Sequence, residues 1–179
     1  MADRMKFLIA EKMKEIMKKK PLDKVRVSEI CREAEIDRST FYYHFKDKYA
    51  LVAWIFYHSA FETNVISVKE AAESLQGMKN EITFYRRAYD DNSQNALWTY
   101  MLEYFVREYS RIAEISLGTD RLSTQLAFSI RLYCYGAVCM SKEWILTDHA
   151  TPAETAIRMM FESMPQSLKE IYFRNGQPE

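Results

Sequence analysis

At 179 residues and 48% hydrophobic content, the chain is long enough to bury a core of its own and too apolar for a disordered tail. Four glycines and four prolines leave little turn chemistry for hairpins, which argues against a β protein and for an all-helical one. The net charge of zero hides a split. Residues 1–50 hold 13 Lys and Arg against 9 Asp and Glu, and the remainder holds 12 against 16, so a polyanionic partner is expected at the N-terminal end.

No apolar run reaches the roughly 18 residues needed to cross a bilayer, and Met1 to Lys6 carry no signal core. No membrane partner is expected, and the protein is placed in the cytoplasm. Cys31, Cys134 and Cys139 show no metal-ligand or C-x-x-C spacing, and each is read as a small buried hydrophobe.

In chain order, Met5, Leu8, Ile9, Met13, Ile16 and Met17 predict a helix from Ala2 to Lys19. Lys18-Lys19-Lys20-Pro21 ends it as a solvated terminus. Val27, Ile30, Cys31 and Ala34 then repeat at helical spacing, and only Glu35, Ile36 and Asp37 separate them from the next helical stretch. Two short helices joined so tightly must cross steeply, as in a helix-turn-helix. In the second, Phe41 and Phe45 share one side, while Ser39 and Tyr43 lie opposite them with Thr40, Tyr42 and His44 on the flanks.

The segment Ser39-Thr40-Phe41-Tyr42-Tyr43-His44-Phe45-Lys46-Asp47-Lys48 resembles the recognition segment of the TetR family of repressors, and the resemblance is specific over about residues 5–57. It departs from the family at Glu35, where a turn glycine is common, and at Arg26, where a Ser or Thr helix cap is usual. The resemblance implies an all-α fold: a three-helix helix-turn-helix DNA-binding domain over 1–48, then a helical ligand-binding and dimerisation domain over 49–179. It further implies a small-molecule effector bound among the later helices, and a homodimer built from the last two helices in a four-helix arrangement. Trp54-Ile55 and the moderately short C-terminal half are similar to the group containing dihydroxyacetone kinase regulators, from which no effector is named.

Beyond Lys48, Leu51 to Val65 carry a helical pattern that is expected to run on to about Ser74 as the mechanical link between the two parts. Gly77 should end that segment, with a further helix from Met78 to Tyr89. Asn92 and Ser93 are placed as the cap of a helix from about Gln94 to Ser116, apolar on nearly all sides and hence central. Another helix is expected over Asp120 to Leu146. Thr151-Pro152-Ala153-Glu154 reads as a helix start with Thr as cap, Pro at the first helical position and Glu closing a capping box. Pro165 should break the last helix before Leu168 to Phe173. The count is eight or nine helices and no strand.

Three function classes compete. An enzyme needs converging groups, and no phosphate loop, dinucleotide fingerprint, nucleophile elbow or zinc-protease motif is present. His58 and Glu62 lie four apart, with His149 distant, but two helical ligands do not make a metal site, and no metal or cofactor is expected. A scaffold explains the helices and not the outward polar face of residues 38–44. A DNA-binding regulator explains both. Its operator should be palindromic and contacted by Arg38, Ser39, Thr40, Tyr42, Tyr43, His44 and Lys48, with Arg38 suited to reading guanine. The aromatic richness of residues 54–145 suggests an effector cavity, with His58, Trp98, Tyr104, Phe105 and Tyr133 as lining candidates. Small residues Ala127, Gly136 and Ala137 would let two copies approach closely along the helix of residues 120–146.

Overall fold

The computed structural model describes residues 2–60, 66–89, 97–148 and 150–173. Among them lie ten α-helices, a single 3-10 turn and no strand: α1 (Ala2–Met17), the 3-10 turn Leu22–Lys24, α2 (Val27–Glu33), α3 (Arg38–His44), α4 (Lys48–Ala60), α5 (Val68–Asn80), α6 (Ile82–Tyr89), α7 (Leu97–Leu117), α8 (Thr124–Thr147), α9 (Ala153–Glu162) and α10 (Gln166–Tyr172). The expected all-α architecture is observed.

Helices α1 to α3 close over Ile9, Met13, Met17, Leu22, Ile30 and Phe41, all buried. The turn between α2 and α3 has a specific geometry. Glu35 sits at φ 54, in the left-handed region, with its N–H on Arg32 O and the Ile36 N–H on Cys31 O. These are the paired bonds of a Schellman cap, a site that favours glycine. Glutamate is tolerated there because its side chain is exposed and the penalty is about 1 kcal/mol.

Several expected boundaries are corrected. The single long helix from Lys48 to Ser74 is two helices: α5 begins after Ser67, whose hydroxyl accepts the Glu70 N–H. A helical period continues across such a cap, so apolar spacing alone does not register it. Gly77 lies inside α5 and ends nothing; the break is at Glu81, and Met78 belongs to the helix before it. Thr151 is not the cap of α9, because Pro152 takes that place with no side-chain bond. The approach is held instead by Asp148, whose Oδ1 accepts the Ala150 and Thr151 N–H groups, and these bonds hold its carboxyl down at about 2. Glu154 pairs with Arg158 one turn on, and so closes no capping box. Cys31 and Cys134 are buried as expected, but Cys139 is exposed. The Asn92-Ser93 cap, Glu62 and His149 lie outside the described residues.

Helix α7 is central, packing against α4, α6, α8 and α10. Tyr172 on α10 donates to Tyr109 O (2.9 Å), and the Ser116 hydroxyl to Ile171 O (3.2 Å). Helix α8 is pinned at its C-terminal end from α5, where Lys79 donates to Asp148 O and its ammonium lies 3.7 Å from the centre of the Trp144 ring.

The N-terminal helices join the rest through packing of α1 on α6 and of α4 on α5 and α7. Helix α1 docks on α6 through Arg87, which donates to the C-terminal carbonyl of Met17, and on the α5–α6 corner through a Lys14–Glu81 ion pair at 3.0 Å. Helix α4 docks on α7 through Tyr57, whose hydroxyl donates to Tyr100 O at 3.1 Å.

Candidate DNA-binding surface and regulatory cavity

Helix α3 is only seven residues long, and its orientation rests on two aromatic anchors. Phe41 and Phe45 are buried with ring centroids 5.9 Å apart, and Trp54 of α4 meets Phe45 edge-on at 5.8 Å. With that side fixed inward, Arg38 and Ser39 are exposed, Thr40 and His44 are half-buried, and Tyr42 and Tyr43 stand 55% and 81% exposed. Large aromatics are rarely left in water without a use, and adjacent Tyr rings on a two-turn helix present hydroxyls at two azimuths of one convex ridge. The ridge fits a DNA major groove, which admits one α-helix.

The structure places Lys48 differently from its neighbours. Its ammonium, at the first position of α4, donates to Leu22 O (2.7 Å), Val25 O (3.0 Å) and Asp23 O (3.1 Å). Three carbonyls of the 3-10 turn thus take the three N–H donors of one lysine. Lys48, expected above among the DNA contacts, makes an internal tie here: it joins the entry to α2 to the start of α4, across which α3 is slung. Sequence reasoning missed this because carbonyl acceptors carry no residue signature. Asp47 caps the same helix, its Oδ1 accepting the Ala50 N–H at 2.8 Å, and Lys20 bonds Glu29 at 2.7 Å, which lowers the Glu29 carboxyl and holds α2 to the end of α1. Lys18 and Lys19 are exposed.

In the C-terminal part, α5, α7, α8 and α9 enclose a cavity of about 60 Å³. Of the five lining candidates, Phe105 and Tyr133 border it. The other three candidates do not. His58 is exposed, stacked at 4.0 Å on Trp54 and edge-on to Phe7 of α1; Trp98 is at the surface; Tyr104 packs on Tyr57. All three lie on helix faces turned toward α1, α4 or solvent, a distinction that aromatic content does not encode. The lining that sequence missed is small or flexible: Ser74, Met78, Met101, Cys134, Ser141 and Met160. Burial pushes the Cys134 thiol up to about 12 and raises the hydroxyls of Tyr109 and Tyr133 well above the ordinary tyrosine range.

A larger groove, about 590 Å³, runs along the outside of α8 and α9. Its floor is apolar: Phe128, Leu132 and Met140 of α8 are 67%, 61% and 52% exposed, and Met159 of α9 joins them. Gly136 lies in the middle of this stripe, and a Cβ built there would meet nothing within 4 Å. Among the described residues no group of three His, Cys, Asp or Glu could hold a metal ion, and no helix is long and apolar enough to cross a membrane.

A helix-turn-helix presenting an aromatic and polar ridge, packed through α1 and α4 on a helical bundle with a cavity, is the architecture of a DNA-binding transcription regulator. The model of the bacterial regulatory proteins of the tetR family matches residues 11–55, and that of a transcriptional regulator C-terminal region matches residues 71–166. The chain belongs to the tetR family of transcription regulators. It is 29% identical over 85 residues to the HTH-type dhaKLM operon transcriptional activator DhaS of Lactococcus lactis subsp. lactis (strain IL1403), a stretch covering 48% of this chain and 43% of that protein. It also shares its fold with a solved structure titled dihydroxyacetone kinase operon activator DhaS, at a TM-score of 0.62 and 17% identity, over 94% of this chain and 98% of that one.

Proposed function

We propose that the protein binds a palindromic operator as a homodimer and that a small-molecule effector held in the α5/α7/α8/α9 cavity lowers its operator affinity, which makes it a repressor wherever the operator overlaps a promoter. The observation that carries this reading is α3: two residues are spent on anchoring it, and Arg38, Ser39, Thr40, Tyr42, Tyr43 and His44 are left facing outward. Arg38 at the N-terminal end of α3 is the base-reading residue, and Tyr42 and His44 reach phosphates.

Dimerisation is supported by the α8–α9 groove. An apolar stripe this exposed marks an interaction face, and a self-complementary two-fold contact covers it with no second protein. Gly136 supports the same conclusion, since glycine inside a helix costs about 1 kcal/mol relative to alanine and the monomer has room for the alanine. One helix-turn-helix reads only a few base pairs, so specific recognition also calls for two copies, with half-sites about 34 Å or a multiple apart. Coupling is supported by α7, which lines the cavity with Met101 and Phe105 and holds Tyr57 of α4 at Tyr100 O.

The test is footprinting on the DNA upstream of the protein's own gene, followed by anisotropy titration with a duplex carrying the protected site. Arg38→Ala should relax sequence choice, and Tyr42→Ala should weaken all sequences alike. Unprotected DNA, or a protected site bound equally well by the Arg38→Ala, Tyr42→Ala double variant, refutes the assignment. The relative DhaS is titled an activator. A promoter fusion read with and without the protein therefore gives the sign of regulation here.

A further inference from the structure

We infer that the cavity selects an uncharged, compact ligand, and that the ligand presses on the seam between α8 and α9 when it fills the space. The first half deepens the effector reading above and rests on it; the second follows from where the cavity sits.

Among the described residues, no Asp, Glu, Lys, Arg or His lines the cavity. Its polar groups are hydroxyls and a thiol: Ser74, Ser141, Tyr109, Tyr133 and Cys134. Tyr133 already donates to Met160 O at 3.2 Å, and the Ser141 hydroxyl faces Met160 Sδ at 3.7 Å. The walls therefore offer a ligand hydroxyls and a thiol, but the described residues supply no counter-ion. An ion moved there from water would lose its hydration without a partner, the most expensive kind of burial, and the burial that keeps Cys134 and Tyr133 neutral acts on a ligand in the same way. A carboxylate, a phosphate and an ammonium are all excluded on this ground.

Size narrows the class further. An apolar cavity of about 150 Å³ takes a benzene-sized molecule, so a cavity of about 60 Å³ takes a molecule of about three non-hydrogen atoms as it stands. A larger guest must displace a wall, and the soft ones are the unbranched side chains Met78, Met101 and Met160. Met160 also lines the outer groove, as do Tyr133 and Ala137. These three residues are the partition between the cavity and the face proposed to meet a second copy. Filling the cavity therefore moves the partition, and the α8–α9 seam with it.

The test follows the methionine methyl signals of Met78, Met101 and Met160 in the full-length protein during titration with four probes of equal size: acetone, 2-propanol, acetate and isopropylammonium. The two uncharged probes should produce saturable shifts in these methyls, and the two ions should bind at least tenfold more weakly. Ala71→Leu, which fills the cavity from the α5 wall away from the groove, should abolish the response while the helical content stays constant. Met160→Ala, which enlarges the space, should tighten acetone at least threefold and admit cyclopentanone. The proposal is overturned if acetate or isopropylammonium saturates the same methyls at comparable concentration. It is equally overturned if the response survives Ala71→Leu, or if no uncharged probe saturates even the Met160→Ala protein. Saturation with operator affinity unchanged counts against the effector reading while leaving the selectivity for uncharged molecules standing.

Discussion

The two ends of the molecule handle exposed aromatic and apolar surface in opposite ways. Around α3 the large exposed side chains are Tyr42 and Tyr43, each ending in a hydroxyl, and they flank anchors that are wholly buried. Along α8 the exposed residues Phe128, Leu132 and Met140 have no polar end. A surface of the first kind suits a partner that is itself wet and charged, as DNA is. A surface of the second kind is stable only against another apolar surface. One chain thus carries two partner signatures, and they differ in the chemistry of what is left uncovered rather than in how much.

The largest effect is expected at the anchor of α3. Phe41 is fully buried on a helix that packs against α1 and α2, and Phe41→Ala should cost about 3–5 kcal/mol. Denaturant unfolding should show that loss, and operator binding should vanish with it, while the fluorescence of Trp144 in the C-terminal bundle should report a second, later transition.

A charge on the apolar stripe comes next. Leu132→Glu, or Ala137→Glu five residues further on, should lower operator affinity on the order of 100-fold, about 3 kcal/mol, by leaving a carboxylate unpaired in the proposed two-fold contact. Sedimentation should then show a monomer. The exposed Cys139 of α8 offers an independent reading, because alkylation should be slower in the proposed dimer than in the Leu132→Glu protein, with the buried Cys134 inert in both. A native protein that sediments as a monomer at micromolar concentration would overturn the two-fold reading of α8.

Lys48→Ala separates an internal tie from a DNA contact. Loss of the ammonium should destabilise the N-terminal helices by about 1–3 kcal/mol, the range for a hydrogen bond to a charged group. A lost phosphate contact would reduce the slope of log affinity against log salt by about one. The tie should leave that slope unchanged while weakening binding to every sequence.

The smallest effect is the most discriminating. Gly77 and Gly136 are both mid-helix, and both have open space where a Cβ would stand. If the single chain explained everything, each Gly→Ala change would stabilise by about 0.5–1 kcal/mol. Gly77→Ala should do so, as thermal unfolding will show, whereas Gly136→Ala should weaken self-association instead.

What the sequence made legible follows the same division. The fold class, the helix-turn-helix and the outward face of α3 could be read because Phe41 and Phe45 mark one side of a short helix, and because Glu35 sits where a turn must fall. Boundaries set by main-chain bonds could not be read: the Ser67 cap that splits α4 from α5, the Asp148 bonds ahead of α9, and the carbonyls that hold Lys48. The cavity's α9 wall, Ile157, Met160 and Phe161, lies beyond the aromatic-rich stretch of residues 54–145 that pointed to a cavity. Aromatic residues attract attention in a sequence, but Ser74, Met101, Cys134 and Met160 make the walls, and nothing in their spacing separates a wall from ordinary core.

The Lys48 tie also limits what any signal from the cavity can accomplish. Because one ammonium grips the entry to α2 and starts α4, a displacement of α4 carries α2 and α3 with it as a single block. The side chains of α3 then keep their arrangement relative to one another, and in the proposed dimer only the separation and tilt of the two copies would change. Operators selected with the effector present should accordingly retain the half-site sequence and differ in the length of the spacer between them.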